Sequence, residues 1–331
     1  MGFWQDLPVL VTGADGFIGS HLSERLAAEG ARVRALAYYN SFARWGWLDE
    51  LPAAAREQVE IFPGDIRDPL RVEEAVRGQK VVFHLASLIA IPYSYHAPDS
   101  YVQTNVGGAL NVLNACRRHG VERLVHTSTS EVYGSARYVP IDEKHPLQGQ
   151  SPYSASKIGA DALAESFWRA FGLPVAIIRP FNTFGPRQSA RAVIPTMLSQ
   201  LAAGAKELRL GALSPTRDFN YVADTVEGFL AVSRAEQAVG RVINVGSGRE
   251  TAIGDLAAKI MTAMGRQVPI VTEEARLRPA ASEVDRLLCD NTLARELAGW
   301  QPRHSLEEGL AVTAAWVAAN LQHFRPDAYT I

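Results

Sequence analysis

Short, almost uninterrupted apolar runs recur along the chain, and each is followed by a longer stretch whose apolar positions fall three and four residues apart. The runs are Leu7–Thr12, Arg32–Ala37, Val59–Pro63, Val81–His84, Arg123–Thr127, Val175–Arg179 and Arg241–Val245. Strands with one wet face alternate polar and apolar residues; these do not, so they read as strands covered on both faces. The stretches Phe17–Glu29, Arg71–Arg77, Tyr101–Gly120, Tyr153–Phe171 and Val222–Ala235 have helical period, with Gly120 and Gly172 placed as stops. This alternation predicts an α/β fold, a doubly wound parallel Rossmann sheet with helices on both faces. From about Phe181 the rhythm loosens into proline-containing loops and separate helices at Ile253–Met264 and Leu306–Leu321. A smaller C-terminal α/β substrate domain is expected there. Residues 1–180 with about 218–250 would form the dinucleotide-binding domain, and about 181–217 with 251–331 the smaller one.

Composition narrows the partners. Lys and Arg total 33 against 35 Asp and Glu, a formal charge of −2, which provides no electrostatic footprint for nucleic acid or an anionic membrane. The only cysteines, Cys116 and Cys289, are too few for a disulfide framework and show no metal-ligand spacing, so no metal is expected. Met1-Gly2 would suit myristoylation, but Asp6 stands where Ser or Thr is required. With no signal-peptide core and no apolar run near the ~20 residues of a membrane span, the expectation is a cytoplasmic protein.

Candidate chemistry starts at the first strand, which runs into Gly13-Ala14-Asp15-Gly16-Phe17-Ile18-Gly19 and then an amphipathic helix. Glycines there let the backbone approach a pyrophosphate, and the free N–H groups of the helix start, at Phe17 and Ile18, favour its charge. The acid that normally reads the ribose after the second strand is missing: the stretch is Leu36-Ala37-Tyr38-Tyr39-Asn40. Arg34 and Arg44 therefore leave NADP open beside NAD, unless each is a surface charge. Asp65-Ile66, after the third strand, either meets the adenine edge or closes a turn. Further on, Ser151-Pro152 reads as an N-cap and first helical residue, which places Tyr153 and Lys157 one turn apart on one face. A neighbouring ammonium favours phenolate, so the pair suits a tyrosine general base.

Five segments, Gly13-x-x-Gly16-x-x-Gly19, His84-Leu85-Ala86-Ser87, Ser128-Thr129-Ser130-Glu131-Val132-Tyr133-Gly134, Tyr153-x-x-x-Lys157 and Arg179-Pro180-Phe181-Asn182-Thr183-Phe184-Gly185-Pro186, occur in this order. Together they resemble the extended short-chain dehydrogenase/reductase superfamily, in particular its nucleotide-sugar epimerases and dehydratases. Tyr39-Asn40-Ser41, Trp45-Gly46-Trp47, residues 186–191, Arg278-Pro279 and Ser282-Glu283-Val284 are similar to NAD-dependent 4,6-dehydratases of the legionaminic-acid type, which act on an N-acetylglucosamine nucleotide.

The resemblance implies bound NAD, with Leu85, Ala86 and Ser87 lining it, and a transient oxidation at C4 of the sugar. It implies that Thr129 binds O4 beside Tyr153 and that Glu131 takes the C5 proton. Ser130 stands where glucose-type dehydratases have an aspartate, so either Glu131 does both proton transfers or Ser130 relays one. Asn182, Arg187, Arg191, Arg217 and Arg278 would close over the substrate diphosphate and base, whereas Asp224 reads as a structural cap. Two copies would pair as a homodimer through Tyr101–Gly120 and Tyr153–Phe171, with Leu110, Leu113, Leu163 and Phe167 serving either that interface or the core. A 4-epimerase would need no Glu131, and a UDP-glucuronate decarboxylase would use Arg217 for the C6 carboxylate. The third alternative is a catalytically silent nucleotide-binding protein.

Overall fold

The computed structural model describes residues 2–329. All seven expected strands form, and no limit moves by more than one residue: β1 Pro8–Thr12, β2 Arg32–Tyr38, β3 Val59–Gly64, β4 Val81–His84, β5 Arg123–Thr127, β6 Val175–Pro180 and β7 Val242–Val245. They make one parallel sheet in the order β7-β6-β5-β4-β1-β2-β3. Every residue of β6 and four of the five in β1 are buried, which is why these strands are apolar without alternation. The strand order reverses between β1 and β4, and in such sheets a ligand crevice opens at the carboxyl ends of the strands.

Helices cover both faces. On one side lie α1 (Phe17–Ala28) and, later in the chain, Val222–Arg234; on the other lie α2 (Pro69–Val76), α3 (Gly108–Arg118) and α4 (Pro152–Phe171). The α4 helix begins as expected. Ser151 Oγ accepts from the Ser154 N–H at 3.1 Å, Ser154 Oγ accepts from the Ser151 N–H at 3.0 Å, and Pro152 opens the first turn. It ends on Gly172 at φ 69°, a left-handed cap that costs glycine little.

The expected helix Tyr101–Gly120 is broken. Residues 102–107 form a π turn before α3 starts at Gly108. The physical cause is at Asn105 and Gly108. The Asn105 amide accepts from Leu88 N–H at 2.8 Å, donates to Leu88 O at 2.9 Å and to Ser156 Oγ at 2.9 Å, while a Cβ on Gly108 would come within 2.5 Å of Ile66. A widened turn aims one side chain at this crevice wall and still seats α3 against the sheet. Leu113 and Phe167 belong to the core under α3 and α4, Leu163 packs at its edge, and Leu110 is outward at 37% exposure.

A third core gathers Phe184 and Phe219 with α5 (Val193–Ala202), a helix in the stretch expected to be proline-containing loop, α7 (Ile253–Ala263) and α8 (Leu306–Ala319), where α6 is Val222–Arg234. Short strand pairs accompany it: residues 208–210 with 270–272 in parallel and 216–218 with 250–252 antiparallel. Asp224 is structural, but not as the expected cap. It is buried in the first turn of α6, where its carboxylate accepts from His304 N–H at 3.0 Å and pairs with His304 Nδ1 at 2.9 Å, tying α6 to the entry of α8. No helix among the described residues is long and apolar enough to cross a membrane.

One half-buried acid makes stability depend on pH. Glu143 accepts from the Asn244 N–H on β7 at 2.8 Å, and burial pushes its carboxyl up to about 7. The folded state thus prefers the neutral acid, so this contribution is complete below the ordinary carboxyl range and is lost as pH rises through about 7. Glu143→Gln keeps an acceptor and removes the titration. Thermal melts should show the variant's advantage over the parent growing between about pH 5 and about pH 8; an unchanged difference over that range would contradict the assignment.

Candidate active site

The crevice floor is built where β1 hands over to α1. Gly13 sits at φ 67° and packs so closely on the segment after β4 that a Cβ would come within 2.8 Å of Ala86 N, and a Cβ on Gly19 would lie 2.1 Å from Gly13 O. Thr12 Oγ1 accepts from the Leu85 and Ala86 N–H groups at 3.1 Å each, locking that segment beside the turn; Ser87 follows with its hydroxyl donating to Leu85 O. The N-cap of α1 is Gly16, with no side-chain cap and no acid in the first turn. The N–H groups of the α1 start, at Phe17, Ile18 and Gly19, therefore face the crevice without an internal anion, as binding of a dinucleotide pyrophosphate requires.

The other side of the floor is the Tyr153 face of α4. Tyr153 is 7% exposed, with its ring edge-on to Tyr101 at 6.2 Å. Burial pushes the phenol well above its ordinary value, with Glu131, Tyr101 and Asp161 acting in the same direction and the nearby Thr129 hydroxyl opposing them. The phenol is thus neutral at rest, contrary to the simple expectation that its lysine neighbour dominates. Burial also lowers Lys157, to about 8, although Asp161 partly restores it. Its ammonium donates to Thr127 O at 2.6 Å at the end of β5.

Behind Lys157 stands a buried charge network that the sequence reading missed. Asp161 Oδ2 accepts from Ser128 Oγ at 2.7 Å and from Arg179 Nη2 at 2.9 Å, and Oδ1 lies 3.3 Å from His126 Nε2. These partners hold the carboxyl below its ordinary value despite complete burial. Arg179 also donates to Tyr133 Oη at 3.0 Å, which donates to Asn244 Oδ1 at 2.7 Å. Breaking such a pair from one side typically costs about 3–5 kcal/mol, so the network fixes α4 rigidly against β5 and β6. The i,i+4 spacing of Lys157 and Asp161 was the available sequence signal; His126 and Arg179 looked like ordinary strand positions.

Thr129 caps the 3-10 turn Ser130–Tyr133, its hydroxyl accepting from the Glu131 N–H at 3.2 Å. Ser130 is buried, and no other described residue bonds its hydroxyl. The Glu131 carboxylate faces the crevice, 4.0 Å from Arg278 Nη1. Arg278 lies 3.7 Å from Glu283, which also pairs with Arg217 at 3.0 Å. Three of the expected positions, Glu131, Arg217 and Arg278, are thereby connected, with Glu283 as a bridging acid that sequence spacing could not locate, and the Glu131 charge also reaches the Tyr153 phenol. The Asn182 side-chain nitrogen is buried without a partner.

Other expected positions have local partners. Arg187 pairs with Glu24 on α1 at 2.6 Å, so its guanidinium is already engaged beside the glycine turn, and Arg191 is exposed, donating to Ser189. Asp65 is held by Arg67 at 2.5 Å, and Ile66 is buried against α3. Arg34 pairs with Glu60 at 2.9 Å and donates to the carbonyls of Glu74, Ala75 and Arg77, so it closes the end of α2 instead of awaiting a 2′-phosphate. Among the described residues no cluster could hold a metal ion.

The GDP-mannose 4,6 dehydratase family profile matches residues 10–313. The chain is 34% identical over 311 residues to a UDP-glucose 4-epimerase of Mycolicibacterium smegmatis, covering 92% of this chain and 96% of that protein. It is equally, 34%, identical over 324 residues to a dTDP-glucose 4,6-dehydratase of Streptomyces griseus, covering 96% of each. The structure of the dTDP-glucose 4,6-dehydratase DesIV from Streptomyces venezuelae, solved with NAD bound, superposes with a TM-score of 0.86 at 30% identity over 96% of this chain and 99% of that one. The chain therefore belongs to the GDP-mannose 4,6 dehydratase family of nucleotide-sugar dehydratases and epimerases, within the extended short-chain dehydrogenase/reductases.

Proposed function

We propose that this chain is a nucleotide-sugar 4,6-dehydratase that converts an NDP-hexose, specifically NDP-N-acetylglucosamine, to its 4-keto-6-deoxy form with NAD as the resident cofactor. The observation that carries this reading is Glu131: a carboxylate on the turn next to Thr129, close enough to Tyr153 for its charge to raise the phenol. Epimerisation at C4 needs no second base. Elimination across C5 and C6 does.

NAD, when bound, would supply the oxidation at C4 that makes the C5 hydrogen acidic and the reducing equivalent for C6, after which C5 takes a proton from solvent. The chain's own residues handle binding and protons. Thr129 holds O4, and Tyr153 takes its proton; the ammonium of Lys157, one turn along, offsets the burial that otherwise keeps the phenol neutral. Glu131 then removes the C5 proton, the electron pair forms the C5–C6 double bond, and the C6–O6 bond breaks as Glu131 returns the proton to the departing oxygen. Arg217 and Arg278 bind the diphosphate, exchanging part of their pairing with Glu283 for phosphate oxygens.

In this reading the seven-stranded sheet with its helices forms the dinucleotide unit and the third core the substrate unit. The outward Val102 and Leu110 would be covered in a two-chain assembly. Incubation with UDP-, GDP-, CDP- and dTDP-linked sugars followed by mass spectrometry separates the chemistries. Loss of water is expected, greatest with an N-acetylglucosamine nucleotide; loss of carbon dioxide, or an isomer of unchanged mass, would reject dehydration.

A further inference from the structure

The second strand lacks the carboxylate that reads the adenosine ribose in most dinucleotide folds, since β2 ends Leu36-Ala37-Tyr38 and continues Tyr39-Asn40. A carboxylate reaches the same place from the opposite side. Asp15, between the first two glycines of the β1–α1 turn, accepts from the Tyr38 N–H at 3.2 Å through Oδ2. The loop after β2 is pinned to the same residue: Trp47 N–H donates to Asp15 O at 3.1 Å, and Gly46, at φ 56°, lies so close that a Cβ would come within 2.4 Å of that oxygen. Between these contacts Asn40 Oδ1 accepts from the Phe42 and Arg44 N–H groups and folds the loop back. Asp15 is therefore held at the carboxyl end of β2, and no other residue donates to its Oδ1.

We propose that Asp15 reads the adenosine ribose of the dinucleotide, accepting a hydrogen bond from the 2′-hydroxyl and repelling a 2′-phosphate, so that the glycine turn itself selects NAD over NADP. The cations nearby do not reverse this preference. Arg67 is occupied by Asp65, the Nη2 that pairs with it also lying 3.5 Å from Tyr38 Oη; Arg34 is occupied by Glu60; Arg44, exposed and without an ion pair among the described residues, is the cation left to meet a 2′-phosphate. The inference concerns the cofactor end of the crevice and stands whether the sugar chemistry is dehydration or epimerisation.

The test is equilibrium binding of NAD, NADP and 2′-deoxyadenosine NAD to the full chain, stripped of any co-purified nucleotide. Asp15→Asn keeps an acceptor for Tyr38 N–H, so a merely loop-holding role would leave the binding ratios unchanged. The wild-type chain should prefer NAD over both analogues by about a hundredfold, and Asp15→Asn should reduce each preference by at least about tenfold. Asp15→Ser provides the same comparison should the Asn variant fold poorly. A wild-type chain that binds NADP as tightly as NAD, or variants that retain the wild-type ratios, would overturn the proposal.

Discussion

Tyr153→Phe is expected to lower kcat by about 10²- to 10⁴-fold, the range that a positioned general base contributes. The substitution removes one hydroxyl and keeps the buried ring that packs edge-on against Tyr101 at 6.2 Å. Its effect should therefore fall on turnover, with nucleotide-sugar affinity changed by no more than about threefold. The structure sharpens why the hydroxyl cannot be replaced by water. Burial holds the resting phenol neutral, so it must give its proton to solvent before the site closes and it can take the proton of substrate O4. Steady-state kinetics beside direct binding of the nucleotide sugar check this, and a variant with parental turnover would remove Tyr153 from the mechanism.

Glu131→Gln should produce a different defect of similar size. The amide keeps the shape of the side chain and its place beside Arg278 but cannot accept the C5 proton. Dehydration should fall about 10²- to 10⁴-fold, while oxidation at C4 continues. The reduced nicotinamide would then accumulate on adding substrate, visible in its near-ultraviolet absorbance, which a loss of binding or folding would not produce. The two variants thus divide the reaction: Tyr153→Phe blocks the first step, and Glu131→Gln traps the chain after it.

How much of this was legible in the sequence follows from the range of each interaction. Strands such as Val81–His84 and Arg123–Thr127 are legible because burial on both faces favours short, mostly apolar runs without alternation. The α4 start was legible because Ser151, Pro152 and Ser154 act within one turn. The π turn at residues 102–107 was not, because its cause is the grip of Asn105 on Leu88 and Ser156, the latter 51 residues away. The same holds for the site. Tyr153 and Lys157 declare themselves by spacing, whereas the bridge from Glu131 through Arg278 and Glu283 to Arg217 depends on a loop more than 140 residues downstream of Tyr133 folding over the crevice. Arg187 shows the converse: a motif position, but one whose charge is met by Glu24.

The central claim, that Glu131 removes a proton from C5 and so makes the chain a dehydratase, is tested most directly by turnover of the wild-type enzyme in deuterated water. The proton that Glu131 takes from C5 leaves with the departing water, so the proton that completes C5 after the reducing equivalent reaches C6 comes from solvent. The account predicts a product lighter than the substrate by one water and carrying deuterium at C5 by nuclear magnetic resonance. A product that retains the substrate's mass and an unlabelled C5, with only the C4 configuration changed, would contradict it and establish epimerisation instead.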